Sequence, residues 1–370
     1  MGLPLRTTAV TATLAVSAIA LLTVGPLRAG ASGSDGSISR PAAPQLGPAQ
    51  DVDPNDVGDP FIIAVPPGLA PPTDVPFQVR GPDAYVSAPW GPAQVSQAEK
   101  HGWYVLFGTP DWQSNVPTAI STDLVHWTEA PDSLPDLPAW ATPNYSMTWA
   151  PAAQHLGSNW IMYYSTEDAA LGTECIGRAT STSPAGPYRD ASTLPLECQP
   201  AQGGSIDPSV VTSGTSRYLV WKNDGNSDHR PDTIWTQQLR SDGLGLVGSD
   251  HQMLGVTEPW EKGIVEAPAM LAAPSGGYWL FFSGGNWSSN QYATGLAYCR
   301  AITGPCAVTT DHPYLATTES MVSPGGLDTF SDLQGRLWVA FTALVAMPSP
   351  WHPGHVYYNR VLDVARVLAR

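Results

Sequence analysis

One pattern recurs along this chain and limits what it can fold into: a turn residue followed by seven residues of aromatic and branched apolar side chains. It appears at Trp103–Thr109, Trp160–Thr166, Arg217–Asn223, Tyr278–Gly284 and Leu337–Ala343, with starts 57, 57, 61 and 59 residues apart. Upstream of each run lies a short strand-like segment headed by a proline: Pro60, Pro151, Pro208, Pro268 and Pro324. The later prolines are 57, 60 and 56 residues apart, but the first two are 91 apart, which marks an insertion of roughly thirty residues in the first unit. Five near-equal units, each holding several short strands, predict an all-β fold, a five-bladed β-propeller with four-stranded antiparallel blades. Runs that are apolar at every position suit strands buried on both faces between neighbouring blades. A two-sheet sandwich, the main rival, predicts strands about every 8–12 residues and no longer period. Composition agrees: 35 Gly, 37 Pro, 14 Trp, 13 Tyr and only 13% charged residues describe a turn-rich, aromatic β-protein.

The repeat leaves the N-terminus aside. Met1–Ala31 has an early Arg6, an apolar run from Ala9 to Val24 and an Ala29-Gly30-Ala31 cleavage pattern, so it reads as a signal peptide. That run is shorter than the ~20 residues a spanning helix needs, so the mature chain is expected to be secreted and free of the membrane. Residues 32–56, rich in Gly, Ser, Pro and Asp, read as a flexible linker, and 57–370 as the propeller domain. Seventeen basic against 32 acidic residues give a charge of −15, which repels nucleic acid and anionic lipid. Neutral or cationic ligands stay open, and the chain is expected to be a monomer.

In a propeller the innermost strands line the axis, so their heads converge although they are far apart in sequence. The five heads read Asp59-Pro60, Trp149-Ala150-Pro151, Asp207-Pro208, Glu266-Ala267-Pro268 and Ser323-Pro324-Gly325-Gly326. Three carry a carboxylate. Glycoside hydrolysis needs one carboxylic acid to protonate the leaving oxygen and one carboxylate to activate water or attack the sugar. A third carboxylate nearby raises the acid's pKa and keeps it protonated near neutral pH. Trp149 at the second head, with Trp112 and Trp287, offers apolar faces for sugar rings, so a neutral polysaccharide or oligosaccharide is the expected partner. Against this stands the ordinary role of Asp-Pro in turns, and a catalytically inactive carbohydrate-binding propeller is the alternative function.

At these residues the chain resembles glycoside hydrolase family 43, whose members are five-bladed propellers that hydrolyse arabinosides and xylosides by inversion. The resemblance spans roughly Val57 to Arg370 and is carried by Asp59-Pro60-Phe61, Ser121–Trp127 (STDLVHW), Trp149-Ala150-Pro151, Gly204–Pro208 (GSIDP) and Val265–Pro268 (VEAP). It implies Asp59 as general base, Glu266 as general acid and Asp207 as the residue that tunes the acid and orients substrate; Asp53-Pro54 is a weaker substitute for the base. Some members hold a central calcium with the help of His residues. Here Gly326 and Thr342 stand at those places, so the resemblance leaves a central calcium open but weakly supported and implies no other cofactor.

Four cysteines allow three pairings; the simplest joins Cys175 to Cys198 and Cys299 to Cys306, in a structural role, since neither pair has metal-site spacing. Gly243–Gly248 matches G-x-G-x-x-G by letter but lacks the strand before and the helix after, so it reads as a turn in an outer hairpin. His229, His352 and His355 lie in polar, Pro- or Gly-containing stretches and read as loop residues rather than metal ligands.

Overall fold

The structure is a computed structural model that describes residues 40–53, 57–73, 90–109, 114–143, 147–348 and 356–368. The signal segment, Trp112, His352 and His355 lie outside the described residues. Two short strands come first, β1 (Gln45–Leu46) and β2 (Gln50–Asp53). The first blade is β3 (Gly58–Val65), β4 (Trp103–Thr109), β5 (Thr118–Ser121) and β6 (Thr128–Ala130), in that order from the axis outward. The second is β7 (Trp149–Leu156), β8 (Asn159–Asp168) and β9 (Thr173–Ser181), edged by isolated bridges from Ile176 to Glu197 and Thr180 to Arg189. The third is β10 (Ser205–Ser213), β11 (Ser216–Asn223), β12 (Thr233–Leu239) and β13 (Leu246–Gly255). The fourth is β14 (Glu266–Ala272), β15 (Tyr278–Gly284), β16 (Ala293–Cys299) and β17 (Cys306–Val308). The fifth is β18 (Val322–Ser331), β19 (Leu337–Pro348) and β20 (Val356–Leu368). Every pairing is antiparallel.

The seven-residue apolar runs are the second strands, and their period of two explains why they are apolar throughout. Successive side chains of a strand point to opposite faces, and here each face meets a different neighbour. Trp103, Val105 and Phe107 pack with Met162 and Tyr164 of the second blade, while Tyr104 and Leu106 pack with Ala340, Leu362 and Val364 of the fifth. Ile161 and Tyr163 turn the other way, to Leu219 and Trp221 of the third. Val220 then meets Leu280 and Phe282, and Trp279 and Phe281 meet Val339 and Phe341. Each of the five seams between blades thus has its own buried cluster, and the last returns to the first blade. The ring is closed.

One expectation needs correction. The stretch 32–56 is not a tether over its whole length: β1 pairs with β20 through Gln45↔Leu368 and Leu46↔Val367, and β2 pairs with it through Gln50↔Val364, Asp51↔Asp363 and Asp53↔Leu362. These two strands form the outer edge of the fifth blade, with Val52 buried in the seam between fifth and first. An edge strand is held by backbone hydrogen bonds and needs few apolar side chains, so its polar composition does not reveal it. This also puts Asp53 at the rim of a blade rather than at an inner strand head. The insertion in the first unit, in turn, contains a helix, α1 (Pro92–His101), which starts on a proline and stops at Gly102, where φ is 87° and the N–H bonds Ala98 O at 2.8 Å. Only Ala98 of α1 is buried, so no apolar stripe announces it.

Both expected disulfides are present. Cys175–Cys198 ties β9 to the segment leading to the third blade, and Cys299–Cys306 joins directly paired residues of β16 and β17. Gly243 sits in the turn between β12 and β13, its N–H bonded to Arg240 O, as a hairpin requires. No helix among the described residues is long and apolar enough to cross a membrane.

Because β1 and β2 complete the fifth blade, a chain starting at Val57 should fold less stably than one starting at Arg40. The loss should match or exceed one large-to-small core substitution, about 3 kcal/mol. Denaturant unfolding of the two chains checks this, and equal midpoints would show that the edge strands carry no weight.

Candidate active site

The head of every innermost strand is built the same way. Asp59, Ala150, Asp207, Ala267 and Ser323 have φ values of 44°, 46°, 56°, 47° and 54°, and each precedes a proline. Left-handed backbone at a residue other than glycine costs about 1–3 kcal/mol. At each head the register between first and second strand also slips, so the strand bulges. Four of these bulged residues, Asp59, Ala150, Asp207 and Ala267, line one axial cavity, while the Ser323 hydroxyl donates to Ser289 O.

Pairing separates the head residues into two kinds. Gly58, Trp149, Ile206, Glu266 and Val322 precede the bulge and still pair with the second strand, opposite Thr109, Ser165, Lys222, Ser283 and Leu344. Asp59, Ala150, Asp207, Ala267 and Ser323 are the bulged residues themselves. Asp59 and Asp207 therefore face the axis directly, and both line a cavity of about 30 Å³ with Ala150, Ala267 and the prolines of the first four heads. Glu266 stands one position earlier and reaches instead into the seam between the third and fourth blades. Two of the predicted acids share the axial cavity, and the third adjoins them.

Each is held differently. Asp59 Oδ2 accepts from Thr109 Oγ1 at 2.5 Å, and that hydroxyl accepts from Ala150 N. Asp207 Oδ2 accepts from Ala267 N at 2.8 Å. Burial, with the charges of Asp59 and Glu266 beside it, raises the Asp207 carboxyl well above the usual range, opposed by Lys222 and the Ala267 N–H. Burial also raises Glu266, while Lys222, its Nζ 3.5 Å from Oε2, and a hydrogen bond with Tyr292 pull it down. Tyr292 is kept neutral by burial and by Glu266 and Asp59. The ring of Tyr292 fits only because Gly325 carries no side chain: a Cβ there would lie 2.1 Å from Tyr292 Cε1.

The aromatic candidates separate. Trp149 is half-buried at the position in its blade that Glu266 holds in the fourth. Trp287 is 56% exposed and carries the Arg360 guanidinium 5.4 Å from its ring centroid. Arg360 also lies against Gly58, next to Asp59, so Trp287 and the strand head of the first blade share a neighbour. Reading the sequence missed Asp328, which lines the axial cavity and whose carboxyl burial pushes up to about 7. It follows Pro324 by four residues, beyond the head that was inspected, and the bulge in β18 between Gly325 and Asp328 brings it round. Lys222 and Thr109 were missed because each stands at the end of an apolar run that reads as core, and Tyr292 because it stands just before one, β16.

As for a central ion, Gly326 offers no side chain and the Thr342 hydroxyl donates to Gly325 O. Among the described residues no three His, Cys, Asp or Glu side chains are grouped to hold a metal. His229 caps a short helical turn in left-handed conformation.

Solved structures share this architecture. A thermostable family-43 glycoside hydrolase superimposes with a TM-score of 0.64 at 19% identity, over 87% of this chain and 94% of its own. An endo-arabinase from Bacteroides thetaiotaomicron gives 0.60 at 15% identity, over 86% and 97%, and an endo-1,4-beta-xylanase from the same organism 0.59 at 20%, over 86% and 100%. No curated protein sequence matches. The family model described as Glycosyl hydrolases family 43 matches residues 88–367, three quarters of the sequence and four of the five strand heads. With the closed five-bladed ring and the acids at its axis, this match establishes that the chain belongs to glycosyl hydrolases family 43.

Proposed function

We propose that the chain is an exported, inverting glycosidase that cleaves arabinose- or xylose-containing glycans, with Glu266 as general acid, Asp59 as general base and Asp207 as the group that tunes the acid and orients the sugar. The observation that carries this reading is the meeting of Asp59 and Asp207 at the axial cavity with Glu266 beside them, each in a different electrostatic setting. A buried carboxyl with a raised pKa holds a proton near neutrality and can give it to a leaving oxygen. Asp59 keeps one oxygen on Thr109 and can accept a proton from water attacking the opposite face of the sugar. An endo-arabinase and an endo-1,4-beta-xylanase among the similar structures support the substrate class. The apolar leader with its Ala29-Gly30-Ala31 pattern, and two disulfides in one chain, support export. Trp149 and Trp287 are the aromatic faces offered to sugar rings.

Three outcomes are expected. Replacing Glu266→Gln should lower hydrolysis of arabinan, arabinoxylan or an aryl pentoside by about 10²–10⁴-fold while circular dichroism stays unchanged; a folded variant with full turnover would remove Glu266 from the role, and sugar binding without any hydrolysis by the native chain would favour a lectin. Proton NMR of the first-formed product should show the anomer opposite to that of the substrate; retention would exclude Asp59 as a base acting through water. Because burial raises the Glu266 pKa, the acid stays protonated above the ordinary carboxylate range, and activity should fall only as pH climbs through that raised value. A kcat/KM profile whose alkaline limb lies in the ordinary carboxylate range would contradict this.

A further inference from the structure

The five-fold repeat allows one side chain to be compared with its counterparts in the other blades, and that side chain breaks the rule. In three blades the residue opposite the strand head is a hydroxyl: Thr109 opposite Gly58, Ser165 opposite Trp149 and Ser283 opposite Glu266. Each accepts a backbone N–H from the head region of the next blade: Ala150 N to Thr109 at 3.0 Å, Asp207 N to Ser165 at 3.1 Å and Gly326 N to Ser283 at 2.9 Å. In the third blade the same position, opposite Ile206, is Lys222. The N–H of Ala267 that it would have served is taken by Asp207 Oδ2. The seam is thus closed without Lys222, whose side chain is fully buried, its ammonium lying 3.3 Å from Asp232 Oδ2 and 3.5 Å from Glu266 Oε2, with Asn226 Oδ1 at 2.5 Å.

We propose that Lys222 is a positioning residue for Glu266: anchored by Asp232, it fixes the Glu266 carboxyl and stabilises the carboxylate that forms there when the proton leaves. This rests on the reading of Glu266 as the acid. The groups facing Glu266 are Lys222 of β11, Asp232 before β12, Tyr292 before β16 and Asp59 of β3, and its own charge acts on Asp207 of β10. Burial, Asp59 and Asp232 all favour its neutral form; Lys222 and the Tyr292 hydrogen bond oppose them, and Lys222 outweighs Asp232. Without that ammonium the acid holds its proton too tightly to give it to a poor leaving group.

The test compares the native chain with Lys222→Met and with Lys222→Met/Asp232→Asn, the latter leaving no buried carboxylate without its cation should the single variant fail to fold. Carbon-13 NMR should show Glu266 titrating about one pH unit or more higher in Lys222→Met, as expected for loss of an opposite charge at this range, and higher by a smaller step in the double variant, which also loses the opposing charge of Asp232. The alkaline limb of the kcat/KM profile should move up with it. Hydrolysis of an unactivated oligosaccharide should fall about tenfold more than that of a p-nitrophenyl pentoside, whose leaving group needs little acid assistance. A Glu266 titration unchanged in the folded double variant, or equal losses on the two substrates, would overturn the proposal. A native chain that hydrolyses neither substrate would instead sink the glycosidase reading, while the titration still decides whether Lys222 governs Glu266.

Discussion

The second strand of each blade belongs to two interfaces at once, and the rest of the molecule depends on that. Alternate side chains of one extended segment are committed to opposite neighbours, as Tyr163 is to the third blade and Tyr164 to the first. A blade cannot leave the ring without exposing both faces of its second strand, so the five seams hold one another in place. This mutual burial is what allows the strand heads to keep an unfavourable backbone. Five residues in left-handed conformation before proline, each costing about 1–3 kcal/mol, would not persist in an isolated hairpin. In the ring, their N–H groups or those near them are caught by hydroxyls of the preceding blade in three seams and by Asp207 in a fourth.

The electrostatics follow from where the bulge falls. A carboxylate on the bulged residue points down the axis; one placed a residue earlier points into a seam. Asp59 and Asp207 are of the first kind and Glu266 of the second, which is why the three can be near one another and still differ. For Asp207 the carboxylates of Asp59 and Glu266 weigh more than Lys222 and its one N–H donor; for Glu266 the Lys222 ammonium and a phenol weigh more than Asp59 and Asp232. A shift of a single residue along β14 would give Glu266 the axial setting and separate it from Lys222.

What could be read in advance was whatever the repeat imposes. The blades, the identity of the second strands, the heads that carry Asp59, Asp207 and Glu266, and both disulfides all follow from periodicity, proline positions and cysteine spacing. What could not be read was held by backbone alone or by contacts between distant segments. β1 and β2 lack an apolar signature because an edge strand needs only N–H and C=O partners. α1 shows one buried alanine. Asp328 is brought to the axis by a bulge, and Lys222 ends a run of strand residues whose neighbours Val220 and Trp221 are core. Its significance appears only when the five blades are aligned by their hydrogen-bonded register rather than by sequence.

The fifth blade joins the earliest described strands to the last one, β20. In a chain made from its N-terminus, β1 and β2 are complete some three hundred residues before the strand they pair with exists. Until then the fifth blade has no outer edge and its seam with the first blade lacks Leu362 and Val364. Ring formation is therefore a late event rather than a gradual one, with four blades waiting, strand edges open to wrong partners, for a fastening that only the final segment can supply.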